Sequence, residues 1–275
     1  MTVYQAFMNH YFARQDPGPE PSSTAASGPA ALSRLAGEYR SDRYSHRSLA
    51  KVEALLFPTI TVTVTGQGRV HTCNVPGYPT GLPEADWVQA GPLLFREEHG
   101  ARTLAFRADV SGEVNWMFLG TFPIVAFERV HAVDSRIVHL TLARCTLTLS
   151  GLTVVFWPAA ALVRRRYLVT PNPAERMPGP ARWTLWIACA LVIVFAVILV
   201  LTWRVAVGVP TLLKVGLALQ MLSAALAVVA AVAAAASWWA GWARWWGRLA
   251  YTIVVLGLLT WVWQTHTWNL LGFRY

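Results

Sequence analysis

Ser48 and Lys51 stand three residues apart in SHRSLAKVEALL, residues 45–56. At that spacing a serine hydroxyl and a lysine amine share one face of a helical turn. Such a pair can transfer acyl groups, because a lysine that has lost its proton serves as base for the serine nucleophile. The competing reading is structural: Ser48 as a helix N-cap and Lys51 as a solvated first-turn residue. The three cysteines, Cys73, Cys145 and Cys189, form no C-x-x-C pair and allow one disulfide at most. No His/Cys cluster has metal-ligand spacing. His71, His99, His131 and His139 have no carboxylate at a pairing interval and read as ordinary strand, turn and linker residues. His266 differs, because in WVWQTHTWN it ends an apolar run. It is a candidate ligand for a haem- or chlorophyll-type metal at a membrane edge, against the reading of an interfacial polar side chain. No catalytic residue, metal or cofactor is expected.

Any such site has to be positioned by the rest of a chain of 275 residues that is 55% hydrophobic and only 13% charged. A soluble domain carries roughly 25% charged residues, so this composition describes an integral membrane protein with a soluble part. Residues 1–139 hold 12 Lys+Arg and 13 Asp+Glu, whereas residues 140–275 hold 11 Lys+Arg and a single acid, Glu175. The net charge of +9 thus belongs to the apolar half. Arginines interrupted by long apolar runs mark loops between spans rather than a nucleic-acid surface.

Residues 1–14 have weak helical spacing and lack the basic and apolar regions of a signal peptide. Residues 15–35 are a Pro/Ser/Ala linker. From 36 to 139 the pattern is β: TITVTVTG alternates, and GPLLFREEHGARTLAFRADVSGEVNWMFL reads as three strands separated by turns. Phe95, Leu104, Phe106 and Trp116 alternate with polar neighbours and are expected in the core. A small antiparallel β-barrel or curved sheet of roughly six to eight strands is predicted, with one short helix over 48–56.

Residues 140–275 are predicted to form transmembrane helices at about 145–163, 183–203, 215–239 and 249–271. The first is marginal. Its Leu, Val and Phe residues contribute on the order of −3 to −4 kcal/mol to insertion, opposed by threonines, Gly151 and Pro158. The bundle therefore has four helices, alternatively three. Twelve of the 14 tryptophans fall in 157–275, and SWWAGWARWWGR (237–248) holds five of them. Trp238, Trp239, Trp242, Trp245 and Trp246, with Arg244 and Arg248, form either an aromatic belt with snorkelling arginines or a docking surface. Ser223, Ala227, Ala231 and Ala235 recur every four residues, a small-residue row suited to close packing within the chain or against another subunit. No charge lies mid-span, which argues against ion or proton translocation.

LAGEYRSDRYSHRSLAKVEALL, VTVTGQGRV and LLFREEHGARTLAFRADVSGEVNWMF together resemble a known module. It is the β-rich C-terminal module of bacterial class C β-lactamase-like, or penicillin-binding-protein-like, serine hydrolases. The matching positions are Gly37, Tyr39, Arg40, Arg43, Phe95, Arg96, Glu97, Gly100, Leu104, Ala105, Phe106, Arg107, Asp109, Gly112 and Val114. The resemblance covers roughly residues 3–182 and is specific over 36–129. It implies that transmembrane helices follow the module, and that the catalytic serine of such enzymes belongs to an upstream α/β domain. On that basis Ser48 is expected to be a cap and not a nucleophile.

The expected function is that of a non-catalytic accessory subunit. Its helices and β-module would pack against a larger membrane complex of the envelope, respiratory or photosynthetic kind. The alternative is the membrane anchor of a serine hydrolase acting on cell-wall or peptide substrates, with its catalytic domain on another chain or lost. The expected partners are the lipid bilayer and other membrane subunits, with no nucleic acid. The expected location is the bacterial inner membrane, with the β-module periplasmic and the loop 164–182 cytoplasmic.

Overall fold

The computed structural model describes residues 32–55, 59–65, 69–73, 84–167, 177–202 and 209–273. The predicted N-terminal helix and most of the linker lie outside them. The chain divides into two compact units. Residues 1–44 and 54–132 make a β unit; residues 45–53 join residues 133–275 in a helical unit.

The β unit contains β1 (Gly37–Ser41), β2 (Ile60–Thr65), β3 (Arg69–Cys73), β4 (Ala85–Gly91), β5 (Leu94–Glu97), β6 (Thr103–Ala108), β7 (Val114–Leu119) and β8 (Ala126–Val130). Each strand pairs antiparallel with the next, and β8 returns to β1 to close an up-and-down barrel. Closure removes the sheet edges that an open meander would expose. In β2 the branched residues Ile60 and Val62 point inward while Thr61 and Thr63 point outward, as a period of two requires. Tyr39, Trp87, Phe95, Leu104, Phe106 and Met117 fill the interior, as expected of a barrel this small. The buried Trp87 indole donates to Thr72 Oγ1 at 2.9 Å, so its polar edge is satisfied.

Several residues of the GEYRSDRY stretch close this barrel. Gly37 has φ +153°, and a Cβ there would come within 3.3 Å of Arg129 Nε. The Arg129 guanidinium donates to the carbonyls of Arg34 and Ala36, both at 2.8 Å. Tyr39 donates to Leu35 O at 2.9 Å, and burial pushes its pKa up to about 12. Arg40 pairs with Glu128 at 2.8 Å across the β1–β8 seam, and Tyr44 donates to the same carboxylate. At the β6–β7 turn Asp109 Oδ1 accepts from the backbone N–H groups of Ser111 and Glu113, while Gly112 takes φ +80°. The Ser111 hydroxyl and these N–H groups hold the Asp109 carboxyl below its usual range.

Trp116 departs from the sequence expectation. It is half-buried and pairs with the outward-facing Arg107, while Met117 pairs with Phe106 and is fully buried. The register shifts between Arg107 and Ala108, so Asn115 is an extra residue on β7. That bulge inverts the alternation of the strand's first half.

The helical unit contains α1 (Arg136–Arg166), α2 (Gly179–Thr202), α3 (Thr211–Trp239) and α4 (Trp245–Thr267). All four are long and apolar enough to cross a membrane. The shortest has 23 residues, about 34 Å at 1.5 Å per residue, against roughly 30 Å of hydrocarbon. Consecutive helices run antiparallel: Trp186 of α2 reaches Val154 of α1, Ser223 of α3 reaches Ala188 of α2, and Trp238 of α3 reaches Thr252 of α4, while Tyr251 near the start of α4 bonds Ala181 O near the start of the parallel α2.

Helix α1 continues through Pro158. Proline has no N–H, so the carbonyl four residues earlier, Val154 O, loses its helical donor. The Trp186 indole of α2 donates to that carbonyl at 3.2 Å. A neighbouring helix thus supplies what the sequence of α1 withholds.

Replacing Phe106 by alanine is expected to destabilise the barrel by about 3–5 kcal/mol, and Trp116 by less than about 1 kcal/mol. Hydrogen exchange of β6 and β7 amides in the detergent-solubilised protein reads both. Unchanged protection in Phe106→Ala would contradict the packed interior.

Candidate functional site

The richest polar cluster of the helical unit gathers at the end where α1 begins and α4 finishes. Helix α4 stops in a left-handed cap: Asn269 takes φ +56°, Leu270 N donates to Thr265 O at 2.7 Å, and Asn269 N to His266 O at 3.1 Å. Asparagine tolerates this conformation better than most side chains. The Asn269 amide then donates to the carbonyls of His46 and Ser48 at 3.0 and 3.2 Å. Lys51 Nζ donates to Thr267 O at 2.9 Å and lies 5.7 Å from the centre of the Trp268 ring. A cation on the last carbonyls of a helix complements its negative end. Segment 45–53 is therefore fastened to the end of α4, and Lys51 is not the solvated side chain that its spacing suggested.

Ser48 does what an N-cap does. Ala50 N donates to Ser48 Oγ at 3.3 Å, and Ser48 Oγ donates to Ser45 Oγ at 2.7 Å. No hydrogen bond joins Ser48 to the Lys51 amine. The serine's proton goes to another serine, and the lysine's go to a helix terminus.

Behind this cap lies His139, 1% exposed in the first turn of α1. The Trp268 indole donates to His139 Nδ1 at 3.0 Å, which puts the proton of a neutral ring on Nε2. Gln264 Nε2 donates to His139 O at 2.7 Å. The Trp263 ring stacks on the imidazole with centroids 5.1 Å apart. One turn deeper, Gln220 of α3 donates to Thr265 Oγ1 at 3.3 Å and accepts from the Trp261 indole at 3.1 Å. These side chains interlock α1, α3 and α4. His139 looks ordinary in sequence because its partners are 125 and 129 residues away.

At the opposite end, the α3–α4 turn carries the tryptophan cluster. Gly241 has φ +70°, and Trp242 N donates to Ser237 O at 3.1 Å, closing α3 with a left-handed cap. Arg248 Nε donates to the carbonyls of Trp242 and Ala243 at 2.7 and 3.0 Å, and its guanidinium lies over Trp238. Trp238 also donates to Thr252 Oγ1 at 3.1 Å. Trp245 and Trp246 stack with centroids 3.6 Å apart; both are exposed, as are Arg244 and Trp239, the last at 95%. Trp242 is half-buried.

The small-residue row of α3 divides between inside and outside. Ser223 and Ala227 are buried, Ala231 is half-buried and Ala235 is exposed. A row of every fourth residue turns about 40° per step around a helix of 3.6 residues per turn. The buried seam instead runs Gly216, Gln220, Ser223, Ala227, Ala230, Ala234 and Ser237. That alternation of four and three is the spacing of a left-handed supercoil.

His266 is exposed in the last turn of α4. Among the described residues no group of three or more His, Cys, Asp or Glu side chains is arranged to hold a metal. The three cysteines are free. His71 does have a carboxylate partner, contrary to the sequence reading: its Nδ1 lies 2.8 Å from Asp86 Oδ1, because the β3–β4 register sets the two opposite. Both side chains are partly exposed, so the pair adds about 0–1 kcal/mol.

Fold and site define a multi-pass membrane protein with an eight-stranded β-barrel module. No family model, curated protein or solved structure matches the chain.

Ser48→Ala is expected to leave the fold intact at a cost of about 1 kcal/mol. Lys51→Ala is expected to raise hydrogen exchange over residues 264–271, because the carbonyl end of α4 loses its cation. Covalent labelling of Ser48 by a fluorescent penicillin, or unchanged exchange in Lys51→Ala, would contradict the capping roles.

Proposed function

We propose that this chain is a non-catalytic accessory subunit of a larger membrane complex, held by its helices and by the tryptophan turn between α3 and α4. The observation that carries the reading is that turn. A membrane-interface belt uses one or two aromatic residues per helix end. Here Trp239, Trp245 and Trp246 stand out from the turn beside Arg244, two of them stacked as a flat platform. Tryptophan and arginine are the residues most enriched at the energetic centres of protein interfaces. The caps at Ser48 and Lys51 support the non-catalytic part of the reading, since the serine hydroxyl is engaged by Ser45 and Ala50 and the lysine amine by the α4 terminus.

The membrane placement follows from charge. Arg164, Arg165, Arg166, Arg182, Arg244 and Arg248 all belong to the end of the bundle that holds the α1–α2 connection and the α3–α4 turn. The positive-inside rule assigns that end to the cytoplasm. Four spans then put the β-module and the C-terminus on the outer face, which is the periplasm if the membrane is a bacterial inner membrane. The resemblance of residues 36–129 to the module of class C β-lactamase-like hydrolases supports that side.

Native mass spectrometry after mild detergent extraction tests the subunit reading. A fixed second chain is expected above the 30.4 kDa of this one, and the double variant Trp239→Ala, Trp246→Ala is expected to lose it. Extraction as a lone chain under all mild conditions would overturn the reading. A stoichiometric hydrolase as the second chain would favour the anchor alternative.

Topology is tested with single cysteines at Ser111 and Asn172 in a background lacking Cys73, Cys145 and Cys189. A membrane-impermeant thiol reagent applied to intact cells is expected to label position 111 and spare 172. Protection of 111 until lysis would put the module in the cytoplasm.

A further inference from the structure

We infer that the groove between the second half of α1 and the first turns of α2 binds an anionic diacyl phospholipid of the surrounding bilayer. The inference needs the four helices to cross a membrane, and does not need the chain to have a protein partner. The groove has a volume of about 580 Å³, within the range of about 300–1,000 Å³ typical of ligand sites. Trp157 and Pro158 of α1 and Trp183 and Trp186 of α2 form its apolar walls, and Arg165 and Arg182 also line it.

The walls are fixed by bonds already described. Trp186 is held by its bond to Val154 O, the carbonyl that Pro158 leaves without a helical donor. Trp183 packs edge-on against Trp186 with centroids 5.8 Å apart. The Arg182 guanidinium lies 5.7 Å from the centre of the Trp157 ring, so a cation is held at the rim of the apolar wall. On α1 the groove runs from Trp157 to Arg165, about 12 Å along the axis at 1.5 Å per residue. It ends where Arg164, Arg165 and Arg166 mark the headgroup level, with Arg182 beside Trp157 nearer its other end.

Charge selects the occupant. Among the described residues no carboxylate lines the groove, and the sequence 140–275 has 11 Lys+Arg against one acid, Glu175. Guanidinium groups bind phosphate oxygens in a fork, and the quaternary ammonium of a choline headgroup adds a cation that two arginines repel. Basic pockets between spans on the cytoplasmic side suit anionic headgroups, each cation adding to the attraction. A phosphate at Arg165 and Arg182, with an acyl chain along Trp157, Trp183 and Trp186, fits both halves of the groove. The first residue of α2, Gly179, also lines it, so the positive end of that helix borders the groove.

The test is native mass spectrometry of the intact chain in detergent, titrated with phosphatidylglycerol or phosphatidylcholine. Phosphatidylglycerol is expected to be retained about tenfold better, and the double variant Arg165→Gln, Arg182→Gln is expected to bring it down to the phosphatidylcholine level. Arg166→Gln removes one charge next to the groove but not in its lining, and is expected to leave retention unchanged. Trp183→Ala, an exposed position that keeps both cations, is expected to weaken retention and serves if the double variant misfolds. Equal retention of the two lipids, equal loss in Arg166→Gln, or wild-type retention in Trp183→Ala overturns the inference. Displacement of the lipid by millimolar inorganic phosphate also overturns it, by making the groove a site for the free anion.

Discussion

A peptide group without a hydrogen-bond partner costs several kcal/mol in hydrocarbon, and this constraint governs the helical unit. Four helices satisfy it along their lengths; the difficulty lies where a helix is interrupted or ends. Trp186 answers the interruption at Pro158. The Asn269 cap and Lys51 answer the end of α4, and Arg248 answers the carbonyls that follow α3. The barrel, outside the membrane, leaves no strand edge open to another chain by closing β8 on β1, and Arg129 takes up the carbonyls of Arg34 and Ala36 just before β1.

Between helices in lipid there is little hydrophobic gain to draw them together, so close approach and polar bonds have to do it. Helix α3 is built for that. Gly216 sits where a Cβ would come within 2.9 Å of Ile198, and the alanines that follow keep the seam thin. Close backbones bring carbonyls into reach of short side chains: Ser223 bonds Ala188 O, and Thr146 of α1 bonds Gly257 O of α4, both at 3.1 Å. Gln220 lies in the same seam and spans to α4. The polar residues inside the bundle thus serve packing, and they are placed where small residues make room for them.

Hydropathy and alternation made the strands and the three strongest spans legible, because both signals are local. The first span was ambiguous for a local reason as well. Pro158 weakens it within its own sequence, and the compensating donor, Trp186, belongs to another helix. The outward turn of Trp116 has the same character, since one extra residue in β7 changes which side chains face inward and alternation cannot reveal a bulge. Ser48 and Lys51 were visible as a pair, but their partners at 267–269 were not. His139 gave no signal at all: a lone histidine near a helix start becomes a buried hub only once α1 and α4 are side by side.

The bonds from Asn269 to His46 and Ser48 also set an order of events in the making of the protein. His46 and Asn269 are separated by 223 positions along the chain. At about 5–20 residues per second, a ribosome needs roughly ten to forty-five seconds to add that stretch. Throughout that interval segment 45–53 has no α4 terminus to hold. The first spans reach the bilayer with this strap unfastened, and it closes only when Asn269 has left the ribosome. Assembly of the unit therefore joins two segments made far apart in time.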